Sequence, residues 1–175
     1  LQKRGIIVLR DASANKCGVI SSSYEIIGNL LMTGKEFLAH KEEYVRDVLA
    51  ILEKRAEDEA RLIFRRKREA GASLSHTEIS DAISVEINAH YARLFDFFRT
   101  RPGLAQSPPY RRALLSHLPR FLSGNARFRR RIPGLPAKYR FAILASEIAS
   151  TIVYRGGFER DIEGDLNRYA EKMFP

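Results

Sequence analysis

The sequence predicts a mainly α fold: a helical bundle behind one N-terminal β-strand and its strand-loop-helix unit. Three observations carry this. Apolar residues recur at helical spacing through most of the 175 residues. Two capping boxes, Thr33-Gly34-Lys35-Glu36 and Ser75-His76-Thr77-Glu78, mark helix starts. A single β-rich run, Ile6, Ile7, Val8 and Leu9, stands near the front, and no second one follows.

Residues 5–10 read as the strand, which stops at Asp11. Ala12, Ser13, Ala14 and Asn15 form a short loop, followed by Lys16-Cys17-Gly18. Ser21, Ser22 and Ser23 then open a helix to about Met32, with Ile26, Ile27, Leu30 and Leu31 at helical spacing. Ligands bind at the carboxyl ends of strands in open α/β sheets. The free N–H groups of a helix start favour an anion there. A lone strand cannot satisfy its own backbone groups, so this one needs neighbours that the sequence does not contain.

The capping box at Thr33 opens a long helix over 34–70. Phe37, Leu38, Val45, Val48, Leu49, Leu52, Ala56, Ile63 and Phe64 trace its apolar stripe, and Gly71 caps it. The next helix, 75–101, carries Ile79, Ile83, Ile87, Tyr91, Leu94 and Phe98, so the two read as a helical hairpin. Ser107-Pro108-Pro109 starts a short helix over 108–118. The stretch 119–135 reads as irregular, rich in Arg, Gly and Pro. The helix 136–154 is apolar nearly all round and should be central. Gly156-Gly157 end it, and 158–174 form a last amphipathic helix.

Composition narrows the function classes. No run approaches the roughly 20 apolar residues of a membrane span, and the front shows no signal-peptide pattern. The single Cys17 excludes an internal disulfide and suits a reducing compartment, so a soluble cytoplasmic protein is expected. The net charge is +9, with basic clusters at Arg65 to Arg68, Arg111-Arg112 and Arg129 to Arg131. These lack the interleaved aromatics of a stacking platform. His40, His76, His90 and His117 have no metal-ligand spacing, so no metal is expected. No GxGxxG follows a strand.

The front stretch also resembles a known family. ASANKCGVISSSYE is similar to the closing strand, loop and helix of the nucleotide-binding domain of glutamate dehydrogenases, roughly PD-x-x-A-N-A-G-G-V-x-x-S-x-x-E. Asp11, Ala14, Asn15, Gly18, Val19, Ser22 and Glu25 stand at the matching positions. With the later segment GLPAKYRFAILASEIASTIVY, the chain looks like the C-terminal portion of a large-subunit NAD-specific enzyme of this family. The resemblance implies that residues 1–33 are the last strand, loop and helix of a truncated Rossmann-like, nucleotide-binding domain. Residues 34–175 would then be a C-terminal helical domain.

It further implies reversible oxidative deamination of L-glutamate to 2-oxoglutarate with NAD as cofactor. Upstream catalytic domains of the same chain would be partners, a homo-oligomer is expected, and neither membrane nor nucleic acid is. The family's catalytic lysine and aspartate match no segment here, so no catalytic residue is assigned and the chain alone should be inactive.

Four residues carry the candidate site. The resemblance implies that Asn15 lines the nicotinamide site; the plain alternative is an Asn favoured by turn geometry. Gly18 would permit an unusual φ or close approach of the cofactor. Lys16-Cys17 departs from the small residues usual there, which puts the fine geometry of that approach in doubt. The resemblance implies that Val19 and Ser22 contact the substrate, the Ser22 hydroxyl meeting the distal carboxylate of glutamate. The alternative for Ser22 is an N-cap. Cys17 reads as a packed side chain and Glu147 as one half of a buried ion pair, an Arg being the natural partner. The competing class is a non-catalytic, basic helical interaction module that binds nucleic acid through its arginines.

Overall fold

The computed structural model describes residues 4–9, 16–158 and 162–175. Residues 6–9 have no regular secondary structure, and no strand occurs among the described residues. The expected N-terminal strand, and with it the strand-loop-helix unit of a truncated Rossmann-like domain, is therefore corrected: the regular structure of the described residues is helical throughout. The physical reason lies in the sequence itself. Strand hydrogen bonds are made between strands, and β-branched side chains without a ladder partner do not hold one. Ile6, Ile7 and Leu9 are accordingly left about half exposed.

The helices are α1 (Lys16–Leu31), α2 (Gly34–Ala39), α3 (Lys41–Ala70), α4 (His76–Thr100), α5 (Pro108–His117), α6 (Arg120–Gly124), α7 (Ala126–Arg129), α8 (Ala137–Arg155) and α9 (Ile162–Met173). Short 3-10 turns occupy Leu104–Gln106 and Ile132–Gly134. The chain forms two compact units, residues 1–85 and 86–175, divided within α4.

In the first unit α1 packs on α3. Tyr24, Ile27 and Leu31 form its buried face, Ile27 and Leu31 each contributing about 1.5–3 kcal/mol of burial. Tyr44, near the start of α3, reaches under α1, where its hydroxyl donates to the Tyr24 carbonyl. Burial pushes the Tyr44 phenol far above its ordinary range, so it stays a neutral donor. Gly28 makes room for it: a Cβ there would lie 3.1 Å from Tyr44 Oη.

The capping box at Thr33 forms as expected, with the Thr33 hydroxyl accepting from the Glu36 N–H. The expected single helix over 34–70 is interrupted, however. His40 adopts φ −124, ψ 19, and its N–H is shared between the Glu36 and Phe37 carbonyls, so α2 ends and α3 begins there. Lys67 Nζ then closes the turn after α3 on the carbonyls of Gly71 and Leu74, while Phe64 meets His76 edge to face at 5.5 Å.

In the second unit α8 is central, as its all-round apolar pattern requires. Ten of its residues are buried, and its most extensive packing is against α5. Ala113 on α5, Ala145 and Ala149 on α8 and Ala170 on α9 are fully buried small side chains that let the backbones approach. Phe98 and Tyr110 meet edge to face at 5.0 Å. Arg112 Nε clasps the Phe174 carbonyl at 2.6 Å, fixing the end of α9 to α5. Gly156 and Gly157 both hold positive φ at the end of α8, a conformation costly for L side chains.

The Gly28–Tyr44 contact sets opposing terms against each other. Gly28→Ala gains about 1 kcal/mol of helix propensity but overpacks the hydroxyl, which costs about 1–3 kcal/mol. It should destabilise the chain by about 1 kcal/mol in urea melts, yet become neutral or stabilising in a Tyr44→Phe background. Additive effects of the two changes would contradict this packing.

Candidate functional site

The site inferred from sequence falls at the front of α1. Asn15 lies outside the described residues. Gly18 and Val19 do not sit in a loop after a strand. They lie in the first turn and a half of α1, which starts at Lys16, six residues before Ser22. Ser22 is therefore inside the helix and is not its N-cap. Cys17, in the first turn, faces α3, its Sγ 3.9 Å from the Leu52 carbonyl. Ser21 spends its hydroxyl on the Gly18 carbonyl at 2.8 Å, within the helix.

The helical register sorts these residues by face. Cys17, Tyr24, Ile27 and Leu31 point toward the core, whereas Gly18 and Ser22, four residues apart, are exposed on the other side. The Val19 side chain lies outside those described. The outer face continues with Ile26, 48% exposed, and Leu30, 38% exposed. The arrangement is thus a small-residue patch with a hydroxyl near a helix N-terminus, extended by two apolar side chains. Such a patch can seat a flat or polar group against the exposed side of the helix. No phosphate-binding turn accompanies it in this chain.

A second polar feature is buried in the other unit. His117 Nδ1 and Glu147 Oε2 lie 2.9 Å apart, joining α5 to α8, with their side chains 8% and 15% exposed. The expected ion pair of Glu147 is there, but with a histidine instead of the Arg anticipated. The 30-residue separation left no periodic signal by which to find His117. This pair holds two packed helices together, and among the described residues no cluster of His, Cys, Asp and Glu is fit to bind a metal. Among the described residues no helix is long and apolar enough to cross a membrane. Breaking the pair leaves a buried polar group without its partner. Glu147→Ala should cost about 1–3 kcal/mol of stability, and adding His117→Ala should cost little more. Two independent, additive losses in thermal melts would contradict the pairing.

No family model matches the chain, and no solved structure matches it significantly. Four curated proteins do match over nearly its whole length. It is 31% identical over 170 residues to the NAD-specific glutamate dehydrogenase of Neurospora crassa, with 90% of this chain and 16% of that protein covered. The probable NAD-specific glutamate dehydrogenase of Schizosaccharomyces pombe is 28% identical over 167 residues, covering 89% and 15%. That of Saccharomyces cerevisiae is 29% identical over 192 residues, covering 98% and 17%. The chain spans about one-sixth of the length of the curated relatives it matches.

Proposed function

We propose, from the chain's relation to a segment of the large NAD-specific glutamate dehydrogenases, that it serves in such an enzyme. The reaction of the whole protein would be L-glutamate, NAD and water going reversibly to 2-oxoglutarate, ammonia and NADH. The nicotinamide, when bound, supplies the hydride acceptor. The residues of this chain bind and orient. Asn15 and Gly18 face the nicotinamide, Gly18 by offering no Cβ; Val19 and Ser22 face the substrate. The Ser22 hydroxyl donates to the distal carboxylate of glutamate. The other helices brace the domains that carry the chemistry, so the chain by itself is inactive.

The likeness over nine-tenths of the chain carries this reading. A physical feature supports the bracing role. Among the described residues every exposed large apolar side chain lies before residue 86, with Leu38 at 73%, Leu49 and Ile7 at 55%, and Ile6, Leu9 and Ile26 close behind. Scattered apolar residues need no explanation, but a concentration in one unit marks a surface that another body covers. The upstream domains of the same long chain are the natural cover.

A hydrogen bond from a hydroxyl to a charged carboxylate is worth about 1.5–3 kcal/mol. Ser22→Ala in the full-length enzyme should therefore lower kcat/KM for glutamate about 10- to 150-fold, largely through KM. KM for NAD should change little. Asn15→Ala should act on NAD instead. An enzyme indifferent to both changes, with the fold intact, would remove the site.

A further inference from the structure

The positive charge of this chain is confined. Between Asp96 and Glu147 the sequence holds eleven Arg and Lys residues, ten of them Arg, and no Asp or Glu. The remainder has nineteen basic residues against twenty-one acidic ones. Seven of the eleven fall within residues 120–140, where the chain folds into a tight knot of short elements. There α6 packs on α7, Phe121 lies 5.1 Å from Phe128, and Arg140 Nη1 donates to the Pro133 carbonyl at 3.4 Å.

Arg120, Arg129 and Arg130 are exposed and meet no carboxylate among the described residues. Arg130 uses only its Nε, on the Ala126 carbonyl. The aromatic rings go the other way: Phe128 is fully buried, with the Arg131 guanidinium 5.4 Å from its centre. Phe121 and Tyr139 are half-buried.

So many like charges in one short stretch, without carboxylate partners among the described residues, repel one another and weaken the isolated unit. A partner surface can supply the missing charge. Arginine in place of lysine adds a planar fork matched to carboxylate or phosphate oxygens.

We propose that the 120–140 face is an interface for an acidic protein surface, whose Asp and Glu carboxylates are paired by Arg120, Arg129 and Arg130. Nucleic acid is the poorer fit. No exposed ring offers a base a stacking partner, and helices of four and five residues are too short to lie along a major groove. The choice of protein over nucleic acid also rests on the reading of the chain as part of a larger dehydrogenase, whose other domains belong to the same chain.

The test uses the 175-residue chain and fluorescence anisotropy with two separate probes, a labelled poly-glutamate of about twenty residues and an RNA duplex of about twenty base pairs. The poly-glutamate Kd should rise at least about tenfold between roughly 50 and 200 mM salt. Changing Arg120, Arg129 and Arg130 together to Gln should weaken it at least about tenfold more. Changing the same three to Lys, which keeps charge and fold but not the fork, should give a partial loss. A control neutralising Lys35, Arg65 and Arg68 should leave the affinity unchanged.

Absence of poly-glutamate binding, or an equal loss in the control, overturns the proposal. Tighter binding of the RNA duplex through the same three arginines overturns it too, in favour of a nucleic-acid surface. None of these outcomes bears on the glutamate kinetics of Ser22, so failure here and failure of the dehydrogenase reading remain distinct.

Discussion

The insertion of Tyr44 beneath Gly28 decides which way α1 faces. Its hydroxyl on the Tyr24 carbonyl and its ring against the Gly28 backbone fix the rotation of the helix about its own axis. Once Tyr24, Ile27 and Leu31 are turned inward, the 3.6-residue period sends Gly18, Ser22, Ile26 and Leu30 outward. A helix rotated by half a turn would bury the serine and expose the tyrosine. The candidate site is thus a consequence of one packing contact made ten residues further along the helix.

Much of this was legible in the sequence. Both capping boxes, the apolar character of 136–154 and the Gly-Gly stop are local signals, and local signals survive when the chain is read alone. The assignment of residues 5–10 failed for the opposite reason. A strand depends on hydrogen bonds to other strands, and composition in one run of six residues cannot supply them. The start of α1 was misplaced because three serines looked like a cap, whereas Cys17 had a packing partner on α3 that lies 35 residues away. His117 was missed as the partner of Glu147 for a similar reason: pairing across 30 residues leaves no periodic trace. The break at His40 is likewise set by backbone geometry that the apolar stripe does not encode.

The two units differ in how they treat exposed surface. The first, around α1 and α3, leaves its large apolar side chains uncovered while its charges nearly balance. The second buries its apolar residues around α8 and keeps its surface strongly basic. Hydrophobic cover and electrostatic pairing are therefore separable demands, made by different parts of one chain. A segment spanning about one-sixth of its relatives' length has reason to present both.

The most direct measurement is a structure of the full-length protein that contains this chain, determined in the presence of glutamate and NAD. The account predicts the Ser22 hydroxyl within about 3 Å of the distal carboxylate of glutamate, with Ile26 and Leu30 covered by upstream domains. Ser22 open to solvent and remote from both ligands would contradict it.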